Sequence, residues 1–314
     1  MISMPKQEVR KAIITDAGYA TRFLPVTKTL PKSMIPIMDK PVMQYVIEEC
    51  MEAGITEIII VATEEGKPIY EDYFHNTVQH IYETLEKQNK SERFNKVRKV
   101  FSLPNIVVIT QGRDLPYGNG SPIIAAKPYI GDEPFLHLFS DDFILGKSAC
   151  KELIAEYYSS NDDVKGVIAV KDIPDIDVTK YGIAKLKDGT TDELDYIIEK
   201  PTPEEAPTSM VSFGRYLYTP EIYKYISGDI SKDLGKDNEL WAVDIIARMA
   251  KDHKVIVKPI TGTWLTTGDP INYLKTTIDY VLYSNEYNGA FREFLKERVK
   301  SIIAEDQKSV KAKP

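Results

Sequence analysis

The sequence predicts an α/β protein, a Rossmann-like fold with a mixed, mostly parallel central sheet flanked by helices and a smaller appended subdomain. Three observations predict it. The 314 residues, 43% of them apolar, suffice for a sizeable core. The N-terminal part reads strand, loop, helix, strand, the order that makes a parallel pair. From Tyr181 to Tyr218 the pattern changes to short extended runs that alternate like hairpins.

Taken in order, "KAIIT" (Lys11–Thr15) is a buried strand that runs into the loop "AGYATRFLPVTKTLPKSM" (Ala17–Met34). "DKPVMQYVIEECMEAG" is a helix, with Asp39 at the cap position, Pro41 in the first turn, Val42, Tyr45, Val46 and Glu49 at helical spacing, and Gly54 closing it. "EIIIVA" (Glu57–Ala62) is the next buried strand. Residues 67–100 are charged and helix-prone, a helical insertion, and "NIVVIT" (Asn105–Thr110) returns to strand. "EPFLHLFSDD" is an apolar strand that stops abruptly at Asp141 and Asp142. Helix "KELIAEYYSS" and strand "GVIAV" follow, then the hairpin region, helix "NELWAVDIIARMAKD", strand "HKVIVKPI" and helix "DPINYLKTTIDYVLYS". The end of the chain reads as a charged helix fraying into a Lys-rich tail. No internal repeat or low-complexity linker interrupts this order, which suits one α/β unit rather than separate beads.

Bulk properties exclude several classes. A net charge of −7 argues against non-specific nucleic-acid binding. Cys50 and Cys150 are far apart in sequence and have no ligand-like spacing, a pattern suited to a reducing cytoplasm rather than a disulfide framework or zinc site. His75, His80, His137 and His253 form no metal motif. No apolar run approaches membrane-spanning length, and the N-terminus lacks a leader-like core, so a cytoplasmic protein without a membrane partner is expected.

Ligands of open α/β sheets bind beyond the carboxyl ends of the strands. Three stretches lie there: the Ala17–Met34 loop, "QGRDLPYGNGSP" and "SDD". In the first, Gly18 permits close backbone approach, and Arg22 and Lys32 can neutralise phosphate oxygens. Neither G-x-x-x-x-G-K-[ST] nor G-x-G-x-x-G occurs, so a P-loop and a dinucleotide fingerprint are excluded. Taken singly, each stretch has a plainer explanation: a tight turn for the loop and for "GNG", a polar strand end for Asp141 and Asp142, a solvated pair for Glu199 and Lys200. Asp141 and Asp142 could equally hold a hard metal ion. Asp269, followed by Pro270, reads as a helix cap.

The ordered series of these stretches resembles the bacterial-type UTP–glucose-1-phosphate uridylyltransferases, within the sugar-1-phosphate nucleotidylyltransferases. The resemblance spans roughly Lys11 to Tyr283. The family pattern A-G-x-G-T-R-x-L-P-x-T-K-x-x-P-K-E-M-L-P falls on Ala17–Pro36, followed in order by "DKPVMQYVIEE", "GITEIIIVA", "GDEPF", "KYGIAKLKDG", "IIEKP", "FGRYLY" and "NELWAVDII". The helical insertion before "QGRDLPYGNG" is also similar to that branch. The resemblance implies a nucleotide-diphospho-sugar transferase fold: a single domain over 10–283, with a sugar-binding subdomain at about 172–235, and a C-terminal helix and tail over 284–314. It implies synthesis of UDP-glucose and pyrophosphate from UTP and glucose 1-phosphate with Mg²⁺, by in-line attack and without a covalent intermediate, in a homodimer or homotetramer.

By residue, the resemblance implies that Ala17, Gly18, Tyr19, Ala20 and Thr21 hold the nucleotide. Arg22 and Lys32 bind its phosphates, and Gln111 and Gly118 face the base. Asp141 falls on the metal-binding aspartate, with Asp142 supporting it. Gly182, Glu199, Lys200 and Gly214 fall on sugar-phosphate positions, Glu199 toward hydroxyls and Lys200 toward the phosphate. Arg22, Lys32, Asp141 and Lys200 would carry the chemistry. Four places depart from the pattern, one being "GNGSP" (Gly118–Pro122) in place of the usual G-L-G-H-A. Ala20 replaces the second loop glycine, and an ordinary right-handed backbone is expected there. Ser33 replaces a glutamate implied to lie near the base. Thr266 in "WLTTGDP" stands where the wider superfamily has a second metal carboxylate, a place that Asp269, three residues on, could partly fill if it is not simply the helix cap. The alternatives left open are a non-catalytic paralogue that binds sugar nucleotide and an enzyme that uses dTTP.

Overall fold

The computed structural model describes residues 6–76, 78–284 and 288–311. Strand β1 (Lys11–Asp16) leads through single-turn 3-10 segments into a small hairpin, β2 (Pro36–Ile37) and β3 (Lys40–Pro41), and then helix α1 (Val42–Glu52). Strand β4 (Glu57–Ala62) precedes the insertion, formed by α2 (Lys67–His75), α3 (Gln79–Lys87) and α4 (Asn95–Phe101). β5 (Asn105–Thr110), α5 (Ser121–Ile130), β6 (Phe135–Phe139), β7 (Asp142–Leu145), α6 (Ala149–Ser159) and β8 (Val164–Asp172) follow. Then come β9 (Gly182–Leu186), β10 (Leu194–Glu199), β11 (Met210–Tyr218), α7 (Ala242–Asp252), β12 (Lys254–Pro259), β13 (Thr263–Thr266), α8 (Pro270–Tyr283) and α9 (Asn288–Lys311). Residues 312–314 of the expected tail lie outside the described residues.

The main sheet runs β10-β9-β11-β6-β1-β4-β5, with β8 and β12 branching from β11. Its centre, β6-β1-β4-β5, is parallel and covered by helices on both faces. That explains the unbroken apolar runs: Ile14, Ile58 and Ile60 pack with α1 and α6, while Ile13, Ile59 and Val61 pack with α5 and α7. Each such isoleucine, fully buried, contributes about 1.5–3 kcal/mol.

β11 divides its partners. Val211 and Ser212 pair with β9, whereas Arg215 to Tyr218 pair with β6. The strand crosses between them at Gly214, where a Cβ would lie 2.2 Å from Phe139. Only glycine lets β11 pass this close, and the fork opens a gap between the ends of β6 and β9.

Three local expectations are corrected, and one unexpected helix is added. α1 starts at Val42 behind Pro41, so Asp39 is not its cap. Asp39 instead sits in the β2–β3 turn and accepts a hydrogen bond from Lys96 of the insertion. α7 starts at Ala242, and the preceding Glu239 is extended, because Leu240 bonds with Tyr117 and Gly120 on another segment. Asp142 does not end the strand before it but begins β7, paired with Thr266 of β13. Helix α5 went unread because Pro122 and Pro128 mask it; Pro122 occupies the first turn, where no amide bond is lost. Gly54 does close α1, at φ +89°. The two cysteines, distant in sequence, are free, buried neighbours, and burial pushes the Cys150 thiol well up. Among the described residues no helix is long and apolar enough to cross a membrane.

One side chain ties these layers together. Arg215 is fully buried in β11 and donates from Nε and Nη2 to Glu49 Oε2 of α1, at 3.0 and 2.9 Å. Nη1 reaches the carbonyls of Phe139 (3.2 Å) and Gly214 (2.7 Å), and Nη2 that of Asp142 (2.5 Å). Glu49 Oε1 in turn accepts from the Cys150 amide of α6 at 3.2 Å. Glu49→Ala would leave the guanidinium buried without its counter-charge. The expected cost is about 3–5 kcal/mol of unfolding free energy in urea titration; a loss below about 1 kcal/mol would show that the carbonyls alone suffice.

Candidate functional site

Two cavities adjoin at the carboxyl ends of β1 and β6. The larger, about 340 Å³, is lined by Ala17, Gly18, Ala20, Thr21, Arg22, Lys32, Gln111, Gly118, Asp141 and Lys200 of the expected residues. Thr15, Asp16, Tyr117, Ser140, Glu239 and Trp241 also line it. The smaller, about 120 Å³, occupies the gap at the β11 fork and is lined by Gly182, Glu199 and Gly214 together with Asp142, Thr266 and Asp269. Arg22, Phe139, Asp141 and Gly268 face both cavities.

The structure separates two expected residues from their groups. Tyr19 lies outside the larger cavity, on a neighbouring groove, 66% exposed and stacked on Tyr117 with ring centroids 5.9 Å apart. Lys200 lines the larger cavity rather than the smaller one. Its ammonium sits 4.0 Å from the centre of the Trp241 ring and 3.7 Å from Glu199 Oε1.

The "GNG" turn positions that wall. Gly118, at φ +126°, comes so close to Leu240 that a Cβ would lie 2.3 Å from its carbonyl oxygen. Gly120 N donates to Leu240 O at 2.8 Å, and Asn119 Oδ1 accepts from Ala242 N at 2.8 Å, capping α7 from another segment. The clamp brings Glu239 and Trp241 to the cavity. Gln111 Nε2 is tied to Pro116 O at 2.9 Å.

At the junction of the cavities Lys32 Nζ lies 2.5 Å from Asp141 Oδ2. Burial works against both charges. For Asp141, Lys32 with a backbone hydrogen bond and Arg215 together outweigh burial and hold the carboxyl below its ordinary range. For Lys32, Asp141 with Asp16 and Asp142 outweighs burial and holds the ammonium above its own. Asp142 differs from its neighbour: burial and then Asp141 push it up to about 6, and its Oδ1 accepts from Trp264 Nε1 at 2.9 Å.

Asp269 is the cap expected of it, accepting from Asn272 N at 2.9 Å and Asn272 Nδ2 at 2.7 Å. Ser33, which stands where the resemblance implies a glutamate near the base, is fully buried and does not line the cavity. Its hydroxyl donates to Asp16 Oδ2 at 3.0 Å. Asp16 was missed because it follows an apolar run and belongs to no motif. The available signal was its place, the last residue of a central strand, where ligands gather. Burial pushes its carboxyl up to about 7, against Ser140, Lys32 and Ser33, which pull it down.

The backbone at Ala20 is left-handed, with φ 47° and ψ 46°, contrary to the right-handed geometry expected. Its carbonyl accepts from Phe23 N at 3.0 Å and Thr27 Oγ1 at 2.9 Å, and these bonds hold the turn against the strain. A left-handed alanine costs roughly 1–2 kcal/mol.

One cation, Arg22, and one carboxylate, Asp141, lie on the shared wall, with Lys32 and Lys200 on the larger cavity beside them, a set that can hold two phosphate groups against each other. Among the described residues no histidine or cysteine lines either cavity, although His137 Nε2 lies 2.8 Å behind the Thr15 hydroxyl. This layout suits group transfer between bound molecules. The chain belongs to the nucleotidyl transferase family, whose model matches residues 11–281. Within that family it is similar to the UTP–glucose-1-phosphate uridylyltransferase of Staphylococcus epidermidis RP62A, 36% identical over 93% of this chain and 99% of that protein. The Bacillus subtilis protein of the same name is 34% identical over 92% and 97%. A solved UDP-glucose pyrophosphorylase complexed with UDP-glucose superposes with TM-score 0.75, at 30% identity over 87% of this chain and 98% of that one. A UTP-bound enzyme from Acinetobacter baumannii gives TM-score 0.79, at 27% identity over 92% and 99%.

Two predictions arise from this geometry. Ala20→Gly should relieve the left-handed strain and raise stability by about 1 kcal/mol in thermal or urea unfolding; a variant less stable than the parent would mean that Ala20 is not strained. The second concerns pH. Burial pushes the Glu199 carboxyl up from 4.5 to about 7, Lys200 opposing and Asp244 adding to the rise. A carboxyl raised on folding stabilises the native state when protonated, so its contribution is complete below about 4.5 and is lost as pH climbs through 7. Relative to Glu199→Gln, the parent should lose up to about 3 kcal/mol across that window. Parallel stability–pH profiles would show that Glu199 ionises without penalty.

Proposed function

We propose that the chain makes UDP-glucose and pyrophosphate from UTP and glucose 1-phosphate. The observation that carries this is the shared wall: Arg22 and Asp141 face both the larger cavity, beside the β1 loop, and the smaller one, in the β11 fork. Two substrates lying one in each cavity would meet there. The names and bound molecules of the similar proteins support the choice of substrates.

In the reaction a phosphate oxygen of glucose 1-phosphate forms a bond to the α-phosphorus of UTP. The bond from that phosphorus to the bridging oxygen breaks, and pyrophosphate leaves with the electron pair. Loop amides from Ala17 to Thr21 hold the triphosphate, with Gln111 and Gly118 toward the base. Arg22 and Lys32 neutralise the charge gathering on the leaving group, so catalysis is positioning and charge stabilisation. Glu199, with Gly182 and Gly214 leaving room beside it, takes sugar hydroxyls, and Lys200, on the wall of the larger cavity, takes the sugar's phosphate where it enters to meet the nucleotide.

The residues fit a metal of the Mg²⁺ type. Asp141 offers one hard carboxylate at the junction, and among the described residues no group of three or more His, Cys, Asp or Glu forms a protein cage. Mg²⁺ is usually held in this way, by one or two carboxylates with substrate phosphates and water. Bound there by Asp141, it would supply positive charge to the phosphates.

Pyrophosphate release measured over several nucleoside triphosphates and sugar 1-phosphates tests the proposal. Turnover is expected with UTP and glucose 1-phosphate, falling by at least about a hundredfold in a folded Asp141→Asn variant. No release with any pair would favour the non-catalytic alternative, and a preference for dTTP would move the base assignment.

A further inference from the structure

Asp16 does more than line the larger cavity. Its carboxylate gathers hydroxyls from three separate parts of the fold. Ser140 Oγ, from the residue beside Asp141, donates to Oδ1 at 2.5 Å. Ser33 Oγ, from the residue beside Lys32, donates to Oδ2 at 3.0 Å. Tyr70 of α2, the first helix of the insertion, donates to the same Oδ2, and its hydroxyl also lies 2.7 Å from Ser33 Oγ. Thus one carboxylate at the end of β1 binds the immediate neighbours of both members of the Lys32–Asp141 pair, and the helix behind them.

We propose that Asp16 is a positioning residue for nucleotidyl transfer, fixing the Lys32 turn and the Asp141 strand end in one geometry, and that it relocates to β1 the carboxylate which P-K-E-M places at position 33. The inference rests on the function proposed above. It follows from connectivity: β1 is the central parallel strand and cannot shift, whereas Lys32 sits on a single 3-10 turn and Asp141 between two strands. Asp141 is held at its carbonyl by Thr267 N and Oγ1, at 2.7 and 3.0 Å, and the Lys32 turn by the Ile35 amide at 3.0 Å; Asp16 adds the bonds that tie both segments to β1. Ser33 and Ser140, both buried, are short enough to transmit the constraint without slack. Tyr70 fills the space beyond Ser33, completely buried, and keeps water from the network.

A position-swap cycle tests this. Turnover and both Michaelis constants would be measured for the parent, Asp16→Ala, Asp16→Asn, Ser33→Glu and the double variant Asp16→Ala/Ser33→Glu, with thermal melts in parallel. Loss of positioning by about 1 Å can cost on the order of a hundredfold in rate. Asp16→Ala should therefore lose roughly that factor in kcat, with both KM values within about threefold of the parent. Ser33→Glu alone should also be slow, because two carboxylates would then face each other. The double variant should recover to within about tenfold of the parent, a coupling that a purely structural defect would not give. Asp16→Asn keeps the shape and should be intermediate; it also serves if alanine prevents folding. Parental kcat in Asp16→Asn and Asp16→Ala, or no recovery in the double variant, would overturn the proposal. A parent without any turnover would overturn the function it rests on as well, and is seen before any variant is made.

Discussion

The buried Arg215 guanidinium is the constraint on which the rest of the structure depends. A charge with no solvent must be met on every side, and here it is met by one carboxylate and three carbonyls from α1, β6, β7 and β11. Because those carbonyls belong to Phe139, Asp142 and Gly214, the same contact sets the ends of the strands around the junction of the two cavities. Moving β7 or β11 outward would strand a donor in the core, at a cost of several kcal/mol. A hydrophobic residue of similar size could fill the space but could not dictate where those carbonyls point.

The parallel centre was legible because its chemistry is local. Strands covered on both faces must be apolar throughout, and "AIIT" and "EIIIVA" announce themselves. The hairpin region and the amphipathic α7 were legible for the same reason. What escaped depends on long-range partners. The "NELW" segment looks helical until Tyr117 and Gly120 capture Leu240 from across the fold. Arg215 in "FGRYLY" gave no hint that it was a core residue, since a lone arginine in a strand is usually solvent-facing.

Much the same division holds at the site. Residues carried by contiguous motifs, such as Gly18, Arg22, Lys32 and Asp141, do come together around one cavity. Asp16 belongs to no motif, and Trp241 lies in "NELWAVDII" without a role read into it; both emerged as cavity residues only with the coordinates. The backbone was the least legible part. Ala20 and Lys200 both have left-handed φ, 47° and 46°, and nothing in their side chains encodes it. Such strained non-glycine residues persist where surrounding bonds over-determine them, and both lie on the larger cavity.

The Lys32–Asp141 pair has a consequence for what the cavities admit. A cation and an anion 2.5 Å apart already satisfy each other. A stray anion that drew Lys32 away would leave Asp141 exposed to it as a repelling neighbour. A lone cation drawn to Asp141 would likewise meet the released ammonium. Only visitors of both signs arriving together leave neither partner stranded. Each then raises the affinity for the other by the same factor, a reciprocity that thermodynamics requires. An anion that arrives without a cation gains little by entering, so the junction favours an anion that brings its own counter-ion.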